Sequence, residues 1–112
     1  MRIDDYQFGQ VKIEGKEYRH DVIIYPGRVE KWWRQEGHKV YPEDIKEVVK
    51  EKPTVLIIGT GHSGLVEVMK ETREYLAQEG IELIAEPTTQ AVEIYNQLAG
   101  QKKVIAALHL TC

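Results

Sequence analysis

Hydrophobic and polar positions follow two different rhythms along this chain. Tyr6, Phe8, Val11 and Ile13 alternate with polar residues, with a change of parity at Gly9-Gln10 that suggests a strand bulged at glycine. Glu14-Gly15 closes a tight turn, and Glu17 to Tyr25 alternates again into Val22-Ile23-Ile24, so residues 6 to 25 predict an antiparallel hairpin ended by Pro26-Gly27. A second extended pair is expected at Val29 to Arg34 and Lys39 to Val40, turning at Glu36-Gly37.

Beyond this point the helical period takes over. Tyr41-Pro42-Glu43-Asp44 resembles a helix entry, with Ile45, Val48 and Val49 on one face and Lys52-Pro53 as the stop. Thr54 to Ile58 is a continuous apolar run, the signature of a strand buried on both faces, and leads into Gly59-Thr60-Gly61-His62-Ser63-Gly64. Leu65, Val66, Met69, Thr72 and Leu76 then recur at helical spacing until Gly80, and Ile81 to Ala85 predicts a second buried strand. A further helix starts at Pro87-Thr88-Thr89, with Ala91, Val92, Tyr95 and Leu98 inward and Gly100 as its stop. Val104 to Leu110 is the last strand. The expected fold class is α/β, a single domain over residues 1 to 112 with a β-α-β-α-β second half and an antiparallel N-terminal hairpin.

Composition fits one folded unit: 112 residues, 42% hydrophobic and 29% charged. The net charge of −3 offers no basic face for nucleic acid. Its excess lies in the second half, since residues 1 to 53 carry eleven basic and eleven acidic side chains and residues 54 to 112 carry four and seven. No apolar run is long enough to span a membrane, and no secretory signal is evident. The single cysteine, Cys112, argues against a disulfide framework and for a reducing cytoplasm.

The most suggestive chemistry is the Gly59-x-Gly61-x-x-Gly64 spacing. Placed between a buried strand and a helix, Gly59, Thr60, Gly61, His62, Ser63 and Gly64 would direct backbone N–H groups at a small anion. The competing reading is a turn in which glycine is needed for backbone conformation and close packing. Too little chain follows for the second half of a dinucleotide site, and no lysine follows the glycines as a nucleoside-triphosphate loop requires. Ser63 and His62, with His109 at the end of the last strand, do not form a nucleophile motif, and Ser63 is better explained as a helix cap. His20, His38, His62 and His109 lack metal-ligand spacing, so no metal or cofactor is expected.

Trp32-Trp33 is the other notable feature. Neighbours in an extended strand face opposite sides, so one ring enters the core while the other needs cover, from the following helix or from another protein. Trp32, Trp33, Arg34 and His38 are therefore the candidate interface, with a second protein or a second copy of the chain as partner. Arg34 and His38 are expected at its solvated or hydrogen-bonded rim and not as catalytic acids.

Tyr6-x-Phe8-Gly9, Gly15-x-x-Tyr18, Asp21-Val22-Ile23-Ile24, Trp33-Arg34 and His38 follow one another in a distinctive order. They continue into Ile57-Ile58-Gly59-Thr60-Gly61, Ala91-x-x-x-Tyr95-Asn96-x-Leu98 and Leu108-His109-x-Thr111-Cys112. Across the whole chain this order resembles the domain of unknown function shared by the adipogenesis-associated domain protein and a mitochondrial complex I assembly factor, which also has short stand-alone prokaryotic members. The resemblance implies a three-layer α/β fold around a central mixed sheet, no established catalytic activity, and an assembly or adaptor role.

Overall fold

The computed structural model describes residues 1–112, and its centre is the pair of apolar runs that the sequence marks most strongly. Strand β7 (Val55–Thr60) and strand β10 (Val104–His109) lie side by side and parallel, in register from Val104 opposite Val55 to His109 opposite Thr60. Every residue of both is buried, as expected for strands covered on both faces. Strand β4 (Val22–Tyr25) pairs antiparallel with β10 on the far side from β7, and β5 (Arg28–Lys31) pairs with β4 through the Pro26-Gly27 turn. Strand β9 (Glu82–Glu86) runs parallel to β7, so the mixed sheet has the order β5-β4-β10-β7-β9.

Alternation along these strands feeds two cores. Ile23, Tyr25, Leu56, Ile58, Ile105 and Ala107 point to one face, where they pack on a 3-10 turn (Pro42–Ile45), helix α1 (Lys46–Lys50) and helix α2 (Lys70–Gln78) through Ile45, Val48, Val49 and Leu76. A two-stranded parallel ribbon, β6 (Lys39–Val40) with β8 (Glu67–Val68), adds Val40 and Val68 to this layer. Val22, Ile24, Val55, Ile57, Val104, Ala106 and Leu108 point the other way, onto helix α3 (Thr88–Leu98) and a three-stranded sheet. That sheet is β1 (Ile3–Gln7), β2 (Gln10–Ile13) and β3 (Lys16–Tyr18), all antiparallel. Asn96 ties it to α3 by accepting from Ile3 N–H at 2.9 Å and donating to Ile3 C=O at 2.8 Å. The result is the expected three-layer α/β domain with a central mixed sheet.

Several local expectations are corrected. The parity change at Gly9-Gln10 is a hairpin turn between β1 and β2, not a bulge, and Gly9 takes φ +80 there. The alternation from Glu17 to Tyr25 belongs to two strands in two sheets, β3 and β4. Val29 to Arg34 does not pair with Lys39 to Val40, because Pro26-Gly27 folds β5 back onto β4 and leaves β6 to β8. The helix foreseen from Leu65 begins only at Lys70: Val66 and Val68 are buried while Leu65 and Glu67 are exposed, a period of two that suits the ribbon with β6. Strand β9 is an edge strand, only partly buried in its middle.

No helix is long and apolar enough to cross a membrane.

Candidate functional site

The carboxyl ends of β7 and β10 meet the glycine-rich turn, and here glycine is needed for close approach. A Cβ on Gly59 would come within 2.9 Å of both Thr88 Oγ1 and Leu108 Cδ2. On Gly61, at φ +105, it would come within 2.4 Å of the backbone of Cys112. Thr88, at the start of α3, locks the region together by accepting from Gly61 N–H at 2.9 Å and donating to His109 C=O at 2.7 Å.

All but one of the loop donors that an anion would require are committed inside the protein, Ser63 N–H being the exception. Besides Gly61, His62 N–H donates to Thr111 C=O at 2.6 Å, Gly64 N–H to Gly61 C=O at 3.2 Å and Leu65 N–H to Cys112 C=O at 3.2 Å. No helix follows the turn directly, so Ser63 caps nothing; the helix N-terminus beside the turn is that of α3, where Thr88 N–H is already given to Gly61 C=O at 3.0 Å. Of the six turn residues, His62 and Ser63 are exposed, Gly64 is half-buried, and Gly59, Thr60 and Gly61 are buried. The ring of His62 packs instead beside Phe8, edge-on at 5.8 Å, and Tyr6 at 6.2 Å.

Beside this turn lies a charged cluster that spans the chain. Asp21, just before β4, accepts from Arg34 Nη1 at 2.9 Å, from His109 Nδ1 at 2.7 Å and from Leu110 N–H at 2.9 Å. The short contact to a carboxylate places a proton of His109 on Nδ1, so that nitrogen offers no acceptor to Arg34 Nη2 at 3.1 Å, and Nη2 donates to Gly37 C=O at 2.8 Å. His109 Nε2 then faces the Thr111 hydroxyl at 3.3 Å. Burial alone would raise the Asp21 carboxyl, but the hydrogen bonds from His109, Leu110 N–H and Arg34 outweigh it and hold it below the ordinary carboxylate range. The side chains of Arg34 and His109 are only 5% and 9% exposed, and Arg34 Nε is buried without a partner.

Of the solvated or hydrogen-bonded rim expected, Arg34 takes the hydrogen-bonded form: the carboxylate of Asp21, 13 residues earlier, pulls it inward, and its guanidinium stacks on Trp32 at 4.4 Å. His38 is exposed, with its ring 5.8 Å from that of His109. Trp32 is 4% exposed and donates its indole N–H to Asp44 C=O at 3.0 Å, so the 3-10 turn covers it. Trp33 is 72% exposed. Of the four candidate interface residues, the structure thus brings Trp33 and His38 to the surface and draws Trp32 and Arg34 into the core side of the same segment. Sequence reasoning missed the role of Asp21 and His109 in this cluster. The one available signal was an acid placed directly before the apolar Val22-Ile23-Ile24.

Comparison with known proteins agrees with this architecture. A conserved hypothetical protein from Pyrococcus horikoshii OT3 is 35% identical, each chain covers 100% of the other, and the TM-score is 0.92. An outer membrane protein from Bartonella henselae is 28% identical over 98% of this chain and 94% of that one, with a TM-score of 0.84. A Mth938-like domain protein from Bordetella pertussis, 20% identical over 97% and 85% of the two chains, shares the fold at a TM-score of 0.72. A family model described as a protein of unknown function, DUF498/DUF598, matches residues 3–109, and the chain belongs to that family.

Proposed function

We propose that this chain is a protein-interaction domain of the assembly-factor type, acting without catalysis, with Trp33 at the centre of its docking face. The observation that carries the reading is the contrast within Trp32-Trp33: one indole is sealed under the 3-10 turn, and its neighbour, two residues past the edge strand β5, is 72% exposed. A large exposed aromatic is the side chain most enriched at binding hot spots. The resemblance to the adipogenesis-associated domain protein and the complex I assembly factor supports an assembly role, and the single cysteine supports work in the cytoplasm.

An anion at the Gly59–Gly64 turn is the less favoured use of this fold, because a ligand would have to displace the carbonyls of Thr111 and Cys112 from His62 and Leu65. Trp33→Ala tests the interface reading by size-exclusion chromatography and affinity capture, with circular dichroism as the control for folding. The expected result is a native spectrum with loss of a partner or of self-association. A variant that keeps every association of the parent contradicts the proposal.

A further inference from the structure

Strand β5 is the open edge of the central sheet, hydrogen-bonded to β4 alone. Trp32 N–H donates inward to Asp21 C=O at 2.9 Å, and the alternation of an antiparallel ladder then turns the N–H and C=O groups of Val29 and Lys31 outward. The edge offers four unpaired backbone groups in a row, the template for an added strand.

Next to this edge, on the α1 face, runs a shallow groove of about 180 Å³. Tyr25, Trp32 and Trp33 line it, and Glu30, Glu43 and Glu47 bring carboxylates to it against a single basic residue, Lys31. Glu43 has no ion-pair partner, while Glu30 is paired with Arg28 at 2.6 Å and Glu47 with Lys50 at 3.2 Å. Those two pairs are solvent-exposed, and exposed pairs are weak enough for an incoming cation to replace them. The groove therefore favours a long side chain with a positive end, above all an arginine able to stack on the exposed Trp33 indole, since Arg34 already covers Trp32.

A second copy is a poor occupant of this edge. The antiparallel register that uses all four open groups sets Val29 opposite Lys31 twice and Glu30 directly opposite Glu30, a like-charge pair in the closest cross-strand position. A strand carrying a basic residue at that point removes the conflict and meets the groove on the same face.

We infer that the partner of this domain is an extended segment of another protein that adds to the edge of β5 and places an arginine or lysine opposite Glu30, in the acidic groove beneath Trp33. This rests on the interface reading above and names its partner class. The probe is a fluorescein-labelled synthetic peptide of alternating arginine and valine, titrated into the full chain by anisotropy, with a glutamate-valine peptide as its counterpart.

The arginine peptide is expected to bind, the glutamate peptide to bind at least about tenfold more weakly, and the Glu43→Lys/Glu47→Lys variant to lose about tenfold in affinity. Lys31→Pro removes one outward N–H while sparing the ladder to β4, and is expected to weaken binding while circular dichroism stays native. Equal binding of both peptides, or indifference to the charge reversals, overturns the inference. A dimer by light scattering that Lys31→Pro dissociates makes the occupant a second copy and also overturns it. If Trp33→Ala abolishes partner capture while Lys31→Pro and the charge reversals do not, the inference fails and the interface reading stands. If Trp33→Ala changes nothing, both fail.

Discussion

Replacing Asp21 by asparagine removes one charge and almost no volume, and isolates what the buried cluster contributes. The carboxylate accepts from Arg34, His109 and Leu110, and the Arg34 side chain is 5% exposed with its Nε already unpartnered. Asparagine can keep one of these hydrogen bonds but leaves the guanidinium facing a neutral amide. Breaking a buried pair in this way costs about 3–5 kcal/mol. Against a total stability of about 5–15 kcal/mol, that is about a fifth of the domain's reserve at the least. The midpoint of thermal unfolding is expected to fall by about 12–20 °C. Urea unfolding at neutral pH, followed by far-ultraviolet circular dichroism, measures the difference directly. The double variant Asp21→Asn/Arg34→Met carries no orphaned cation and should recover at least half of the loss. A single variant within about 1 kcal/mol of the parent, or a double variant no better than the single, refutes the assignment of a stabilising charge pair.

Acid should expose the same group. Because the Asp21 carboxyl is held below its ordinary range, its contribution is complete above the unfolded value near about 4 and is lost as pH falls through the lower folded value, so the parent should lose more stability below about pH 4 than Asp21→Asn does. Parallel slopes for the two proteins in acid contradict this. The two tryptophans should separate cleanly in denaturant titrations: Trp32→Ala costs about 3–5 kcal/mol, whereas Trp33→Ala stays within about 0.5 kcal/mol. Gly61→Ala should cost about 2–4 kcal/mol, since its Cβ meets the Cys112 backbone and its φ is +105. Gly80→Ala, also at positive φ but with open space around it, should cost distinctly less in the same thermal assay.

The strands and helices that the sequence makes plain are those with one dominant constraint. Val55–Ile58 and Val104–Leu108 are unbroken apolar runs because both faces of β7 and β10 are covered. Thr88–Leu98 keeps Ala91 and Tyr95 one turn apart and buried. Leu65 to Met69 is different: Val66 and Val68 satisfy a period of two, and Leu65, Val66 and Met69 satisfy a helical spacing equally well. The choice rests on β6, whose Lys39 and Val40 pair with Glu67 and Val68 from 28 residues away. The opposite faces of Trp32 and Trp33 follow from the alternation of the extended chain that continues past β5, held by Trp32 N–H on Asp21 C=O. Which face would be covered depended on the 3-10 turn at Pro42–Ile45. Asp21, Arg34 and His109 carry no mutual spacing in the sequence, since three separate elements bring them together.

The central claim is that Trp33 meets another protein. A photo-crosslinking residue at that position, Trp33→p-benzoylphenylalanine, compared with the same residue at exposed Arg19, tests it most directly in cells that express the chain. The account predicts a discrete adduct from position 33 that position 19 does not give. No adduct, or the same adducts from both positions, would contradict it.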